Sequence, residues 1–150
     1  MSEHVAEIKW EKEIHSNDAS TYSRNHVARF EGQQKLNISA AVEYKGDALC
    51  ADPEQLLVTA AASCHMLFFL AIADQQGFLP ESYSDTPVGY LEKTENGGLE
   101  ITLIELYPKI VFSGEKKPDD AAIARMHAGA HKRCFVGNSI KAKITVGTDS

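Results

Sequence analysis

Cysteine is scarce in this sequence: Cys50, Cys64 and Cys134 are all there are in 150 residues. Three cysteines are too few to staple a small secreted domain. The opening MSEHVAEIKWEKE is polar and mixed in charge, with no apolar core of a secretory signal. The cytoplasm, where thiols stay reduced, is therefore the expected compartment, and a cysteine that matters there is reactive or metal-binding rather than structural. No CxxC, HExxH or GxSxG occurs, which removes the usual sequence warrants for a thiolate metal site, a zinc protease or a serine hydrolase. Positive charge is also thin. Lys and Arg number 15 against 21 Asp and Glu, for a net charge of −6. The nearest approach to a basic cluster is Lys116-Lys117 with Lys132-Arg133. A nucleic-acid groove or an anionic membrane surface would need more.

Formal charge is missing altogether from Gln55 to Ala73. A stretch that long invites a transmembrane interpretation, but only Met66 to Ala73 is strongly apolar, and Thr59, Ser63 and His65 interrupt the rest. A buried central helix fits better. With 43% hydrophobic and 24% charged residues, the chain is expected to be one soluble domain over residues 1–150.

The helix is signposted at both ends. Asp52 suits the N-cap, Pro53 the first helical position, and Gln55 completes a capping box; Gly77 is a natural stop. Its apolar residues run nearly all the way round, so cover is needed on several sides, from a second helix or from a partner subunit. Before it, VAEIKWEKEI alternates like a half-buried strand, NDASTYS looks like a loop, and RNHVARFEGQQKLNISAAVEY suggests a hairpin turning near Glu31-Gly32-Gln33. After it, VGYLEKTENGGLEITLIELYPKIVFSG suggests a β-meander with a turn at Asn96-Gly97-Gly98 and a break or edge at Pro108. KKPDDAAIARMHAGAHKRC predicts a second helix whose stripe is Ile123, Met126, His127, Ala130, His131 and Cys134. KAKITVGT reads as a last strand. The class is α+β.

Two cysteines on apolar helical faces are the first chemical feature. Buried cysteine is often only a small hydrophobe; a functional Cys64 needs a thiolate, hence a nearby cation, and Arg24 and Arg29 are the candidates. The second feature is HAGAHKRC, which puts His127 and His131 one turn apart with Cys134 following, and His65 beside Cys64. That spacing suits metal ligands, but packed or hydrogen-bonded histidines satisfy it as well. Ser63 amid small residues permits close packing and has no nucleophile elbow.

DPEQLLVTAAASCHMLFFLAIADQQGF and AHKRCFVGNSIKAKI together resemble the two signature regions of the OsmC/Ohr family, the osmotically inducible and organic hydroperoxide resistance proteins. YSRNH resembles the family's arginine-bearing loop, and SCHMLFFLA with MHAGAHKRC is similar to a less characterised OsmC-like branch. The resemblance implies an α+β fold with a long central apolar helix packed against antiparallel sheets, in an intertwined homodimer. It implies a thiol peroxidase acting on organic hydroperoxides, without metal, flavin or other cofactor. Cys64 would be the peroxidatic residue, Cys134 the resolving one, Arg24 the activating cation and Glu54 its holder, with an external dithiol as reductant. Met66, Leu67, Phe68 and Phe69 would favour bulky apolar peroxides over hydrogen peroxide. Glu54 precedes Cys64 by ten residues, roughly 15 Å and about 80° around a straight helix, so its part needs a bridging arginine, a helix break or the other subunit. The alternative is a redox-sensing or metal-binding protein using Cys64, Cys134 and the histidines without turnover.

Overall fold

The computed structural model describes residues 1–147, which fall into two compact units, Met1–Leu56 and a second from Leu57 onward. In the first, β1 (Ala6–Lys9), β4 (His26–Phe30) and β5 (Lys35–Ile38) form an antiparallel sheet in the order β1–β4–β5. β2 (Ile14–His15) and β3 (Asp18–Tyr22) form a small ribbon. The β4–β5 turn lies where the sequence puts it, closed by the Gln33 N–H on the Phe30 carbonyl at 2.9 Å. The residue that adopts positive φ is Gln33 (64°), not Gly32. Two expectations change. NDASTYS contributes β3 rather than a loop, its polar side chains satisfied locally: Asp18 accepts from the Ser20 N–H at 3.0 Å. β1 is a strand, but its alternation buries nothing within the chain, and Ile8 is 70% exposed.

The loop from β5 to the long helix is tightly tied. The Ser39 N–H donates to the Ala51 carbonyl at 2.8 Å, the Asp47 N–H to Ser39 Oγ at 3.1 Å and the Gly46 N–H to the Ala41 carbonyl at 3.1 Å. A Cβ on Gly46 would stand 1.5 Å from the Ala40 carbonyl oxygen, so no side chain fits unless the loop moves. Gly46→Ala is expected to cost about 2–3 kcal/mol, on the scale of overpacking. An unchanged urea midpoint would show that the loop yields freely.

α1 (Pro53–Gln75) starts and stops as its sequence dictates. The Asp52 N–H donates to Gln55 Oε1 at 3.0 Å, and the Gln55 N–H donates back to Asp52 Oδ1 at 2.8 Å, a complete capping box. At the far end Gly77 takes φ 78° while the Phe78 N–H caps the Ala73 carbonyl at 3.0 Å. By length and composition α1 could cross a membrane; here Ala61, Ala62, His65, Phe69, Ile72 and Ala73 are buried.

In the second unit β7 (Val88–Lys93), β8 (Leu99–Leu106) and β10 (Lys143–Val146) form a sheet in the order β10–β8–β7. β7 and β8 are joined by the expected Asn-Gly-Gly turn, and β10 lies parallel to β8. Thr148, in the expected last strand, lies outside the described residues. The meander fails after Pro108: β9 (Lys109–Ser113) pairs with β6 (Leu79–Ser84), not with β8. Two features explain it. Pro108 has no N–H to give a ladder, and the Tyr107 N–H is taken by Asp85 Oδ1 at 2.7 Å, which holds the chain beside the end of β6. α2 (Asp120–Arg133) is capped by Asp119, which accepts from the Ala122 N–H at 2.8 Å, and it ends in His131, Lys132 and Arg133, favourable at a helix C-terminus.

Two apolar clusters hold this unit. Ala61 and Ala62 of α1 pack with Ile104, Leu106 and Ile144 of the β10–β8 pair. One helical stretch later, Phe69, Ile72 and Ala73 pack with Phe78 and with Met126 and Ala130 of α2. Cys64 and His65 fall between the two clusters.

Candidate thiol site

Because α1 uses its first half against one cluster and its second half against the other, the residues at the joint face neither squarely. Cys64 is half-buried there, and Cys134 is 2% exposed. Both thiols are free, and they are near neighbours: Cys64 is among the groups that push the Cys134 thiol up. α2 does not extend to Cys134 as the periodicity predicts. It ends at Arg133, and Cys134 leaves in an extended conformation (φ −64°, ψ 110°) with its sulfur still turned inward.

A short turn fixes that sulfur. The Asn138 N–H donates to the Cys134 carbonyl at 2.9 Å, Asn138 Nδ2 to the Lys132 carbonyl at 3.2 Å, and the Ser139 hydroxyl to the Phe135 carbonyl at 2.7 Å. The Gly137 N–H then points at Cys134 Sγ, 3.3 Å away. Gly137 lets this approach happen, since a Cβ there would be 3.2 Å from Ile144 Cδ1 and 3.4 Å from the sulfur. Motif spacing did not single out this turn; the Gly-Asn-Ser after Cys134 was its only signal. Burial pushes the Cys134 thiol above the usual range, and neighbouring Cys64 adds to this, while the Gly137 N–H opposes them. Cys134 therefore stays protonated beside a more accessible Cys64.

The apolar surroundings differ from the expectation in one respect. Leu67 and Phe68, three and four residues beyond Cys64, share its helix face. Leu67 is 60% exposed, and Phe68 meets Phe135 edge-on at 5.0 Å. Phe69 instead points into the second cluster, where it packs against His127 and Tyr83. Phe135, itself exposed, was not foreseen as a wall.

The histidines separate into two kinds. His65 Nε2 and His127 Nδ1 are 3.0 Å apart in the core, and burial, first, holds both near pKa 4; His127 and His131 add to the effect at His65. His131, expected on the same buried stripe, is exposed. Among the described residues no three His, Cys, Asp or Glu side chains are placed to share a metal ion.

The remaining site candidates belong to the segment before Leu57. Arg24 donates to Thr21 Oγ1 at 2.9 Å and to the Tyr22 carbonyl, with its guanidinium 3.9 Å over the Tyr22 ring. Arg29 is exposed on β4, and Glu54 is half-buried in the first turn of α1. No ion pair joins Arg24 to Glu54 among the described residues.

Known proteins share this fold. An OsmC-like protein of unknown function from Vibrio cholerae O1 biovar eltor str. N16961 superposes with a TM-score of 0.92 at 37% identity, covering 99% of this chain and 100% of that one. The organic hydroperoxide resistance protein OsmC of Legionella pneumophila has the same fold at 20% identity, with a TM-score of 0.71 over 99% and 96% of the two chains. The uncharacterized protein YmaD of Bacillus subtilis (strain 168) is 25% identical over 124 residues, 81% of this chain and 82% of that protein. The model of the OsmC-like proteins matches residues 45–149, well over half the sequence, and with a 37% identical relative along nearly its whole length the chain belongs to the OsmC-like family.

Proposed function

We propose that this OsmC-like protein is a homodimeric, cytoplasmic thiol peroxidase that reduces organic hydroperoxides. One observation carries the proposal: two free neighbouring thiols, one accessible and one buried, with the buried thiol pushed up by its burial. The Cys64 thiolate attacks the outer peroxide oxygen, the O–O bond breaks, and the alkoxide leaves as the alcohol after taking a proton, with Cys64 becoming a sulfenic acid. The Cys134 thiol then attacks that sulfur. Water leaves, a disulfide forms, and an external dithiol reduces it. Arg24, with Arg29 as the alternative, would pair with the Cys64 thiolate and stabilise charge on the leaving oxygen, with Glu54 holding the arginine. Exposed apolar side chains on β1 and α1, Ile8 and Leu67 among them, favour a covering second copy. Relatives named organic hydroperoxide resistance proteins support the substrate class.

The direct test is to add cumene hydroperoxide, and separately hydrogen peroxide, to the reduced, metal-free protein. Rapid loss of two thiols, a linked Cys64–Cys134 peptide by mass spectrometry and at least a tenfold preference for the organic peroxide are expected. Survival of both thiols in excess peroxide would end the proposal.

A further inference from the structure

A cleft of about 670 Å³ that neither Cys64 nor Cys134 lines runs beside α2, walled by Ile110 of β9, Ile123 of α2 and Ile144 and Val146 of β10. That volume lies within the range of small-molecule sites, roughly 300–1,000 Å³. One polar side chain inside it is almost fully buried: His127 lines the cleft at 8% exposure.

The proton on His127 can be traced. Its Nδ1 faces His65 Nε2 at 3.0 Å, so one of the two nitrogens carries the shared hydrogen. His65 Nδ1, on the other side of that ring, is buried with no partner. An N–H without an acceptor is rarer in protein interiors than an acceptor without a donor, so His65 Nδ1 carries the lone pair and His65 Nε2 the proton. His127 Nδ1 then accepts, and a neutral His127 holds its own proton on Nε2. That nitrogen has no hydrogen-bond partner among the described residues, and its ring lines the cleft, so its N–H is unspent for a ligand there. The cleft thus offers a buried N–H donor among largely aliphatic walls.

We infer that this cleft binds a small aliphatic monocarboxylate, with a carboxylate oxygen accepting from His127 Nε2–H and the chain lying along Ile123, Ile144 and Val146. His131, one turn beyond His127 and exposed, also lines the cleft and adds a second polar ring. Asp120, two turns the other way and about 10 Å along the helix, also lines the cleft and disfavours a second carboxylate at that end. The inference does not depend on the thiol chemistry.

The test titrates octanoate, and in parallel octylammonium, into the reduced protein by calorimetry. Saturable octanoate binding at least tenfold tighter than octylammonium is expected. Ala128, exposed on the wall of the cleft, supplies the blocking variant: Ala128→Trp should keep the melting curve and the Cys64 reaction with cumene hydroperoxide while weakening octanoate at least tenfold. His127→Phe should do the same to octanoate. Nitrogen-15 spectra of the free protein should show His65 protonated on Nε2 and His127 on Nε2. No saturable binding, as when a second copy covers the cleft, overturns the inference. So does binding indifferent to Ala128→Trp, or the opposite tautomers.

Discussion

Cys64→Ser should abolish peroxide consumption, lowering the rate with cumene hydroperoxide by at least about a thousandfold, because a serine hydroxyl at neutral pH is not ionised and is a far weaker nucleophile. Cys134→Ser should behave differently. The first turnover proceeds at close to the native rate, one thiol equivalent disappears, and a sulfenic acid accumulates that a dimedone label traps at Cys64. The asymmetry follows from the proposed roles, in which the buried, protonated partner would resolve the reaction and the accessible one would begin it. Equal inactivation of the first turnover by both substitutions would reverse or abolish those roles. A volume argument keeps the test clean, since serine is no larger than cysteine and the fixed turn at Gly137 needs no adjustment.

Acid should unfold the protein earlier than its carboxylates require. His65 and His127 are held near pKa 4 when folded, against an ordinary value of 6.5. Their contribution is therefore complete above about pH 6.5 and is lost as the pH falls toward 4, because the unfolded chain takes up protons that the folded one refuses. At about 1.4 kcal/mol per unit, the pair is expected to cost a few kcal/mol between pH 7 and pH 4.5. Asp85 acts in the opposite sense, since burial raises its carboxyl pKa. Asp18 and Asp47, both lowered by hydrogen bonds, titrate below this window. Urea midpoints at pH 7.5, 5.5 and 4.5 measure the effect, and a His65→Gln, His127→Gln double variant should flatten it. A midpoint with the same slope in that variant would assign the acid sensitivity elsewhere.

The parts of this molecule that could be foreseen are those fixed by local chemistry. Asp52, Pro53, Gln55 and Gly77 bound α1 through caps and a left-handed stop, and those interactions reach only three or four residues along the chain. The α2 stripe correctly placed Met126, His127, Ala130 and Cys134 inward. What escaped depended on partners distant in sequence. Nothing in YPKIVFSG says whether β9 extends the β8 sheet or crosses to β6; Asp85, twenty-two residues before Tyr107, decides it. His131 satisfies the same periodicity as His127, yet only His127 has His65 opposite it. The two cysteines were expected as a pair from the family likeness. The turn that orients Cys134 was not, because a Gly-Asn-Ser turn has no fixed relation to a preceding helix.

The parallel pairing of β10 with β8 has a consequence for assembly. Lys143 lies opposite Leu103, so this contact closes a loop of some forty residues that contains β9 and all of α2. Pairings of such long separation form late and slowly compared with hairpins such as β7–β8. Ile144, on that strand, also packs into the cluster beneath α1 and borders the Gly137 turn. Until β10 docks, the seat of Cys134 lacks one wall, while the helix that carries Cys64 is started by a cap local in sequence. A chain in which α1 forms before β10 docks would carry Cys64 while the seat of Cys134 is still unbuilt. Peroxide met at that stage would oxidise Cys64 with nothing positioned to rescue it.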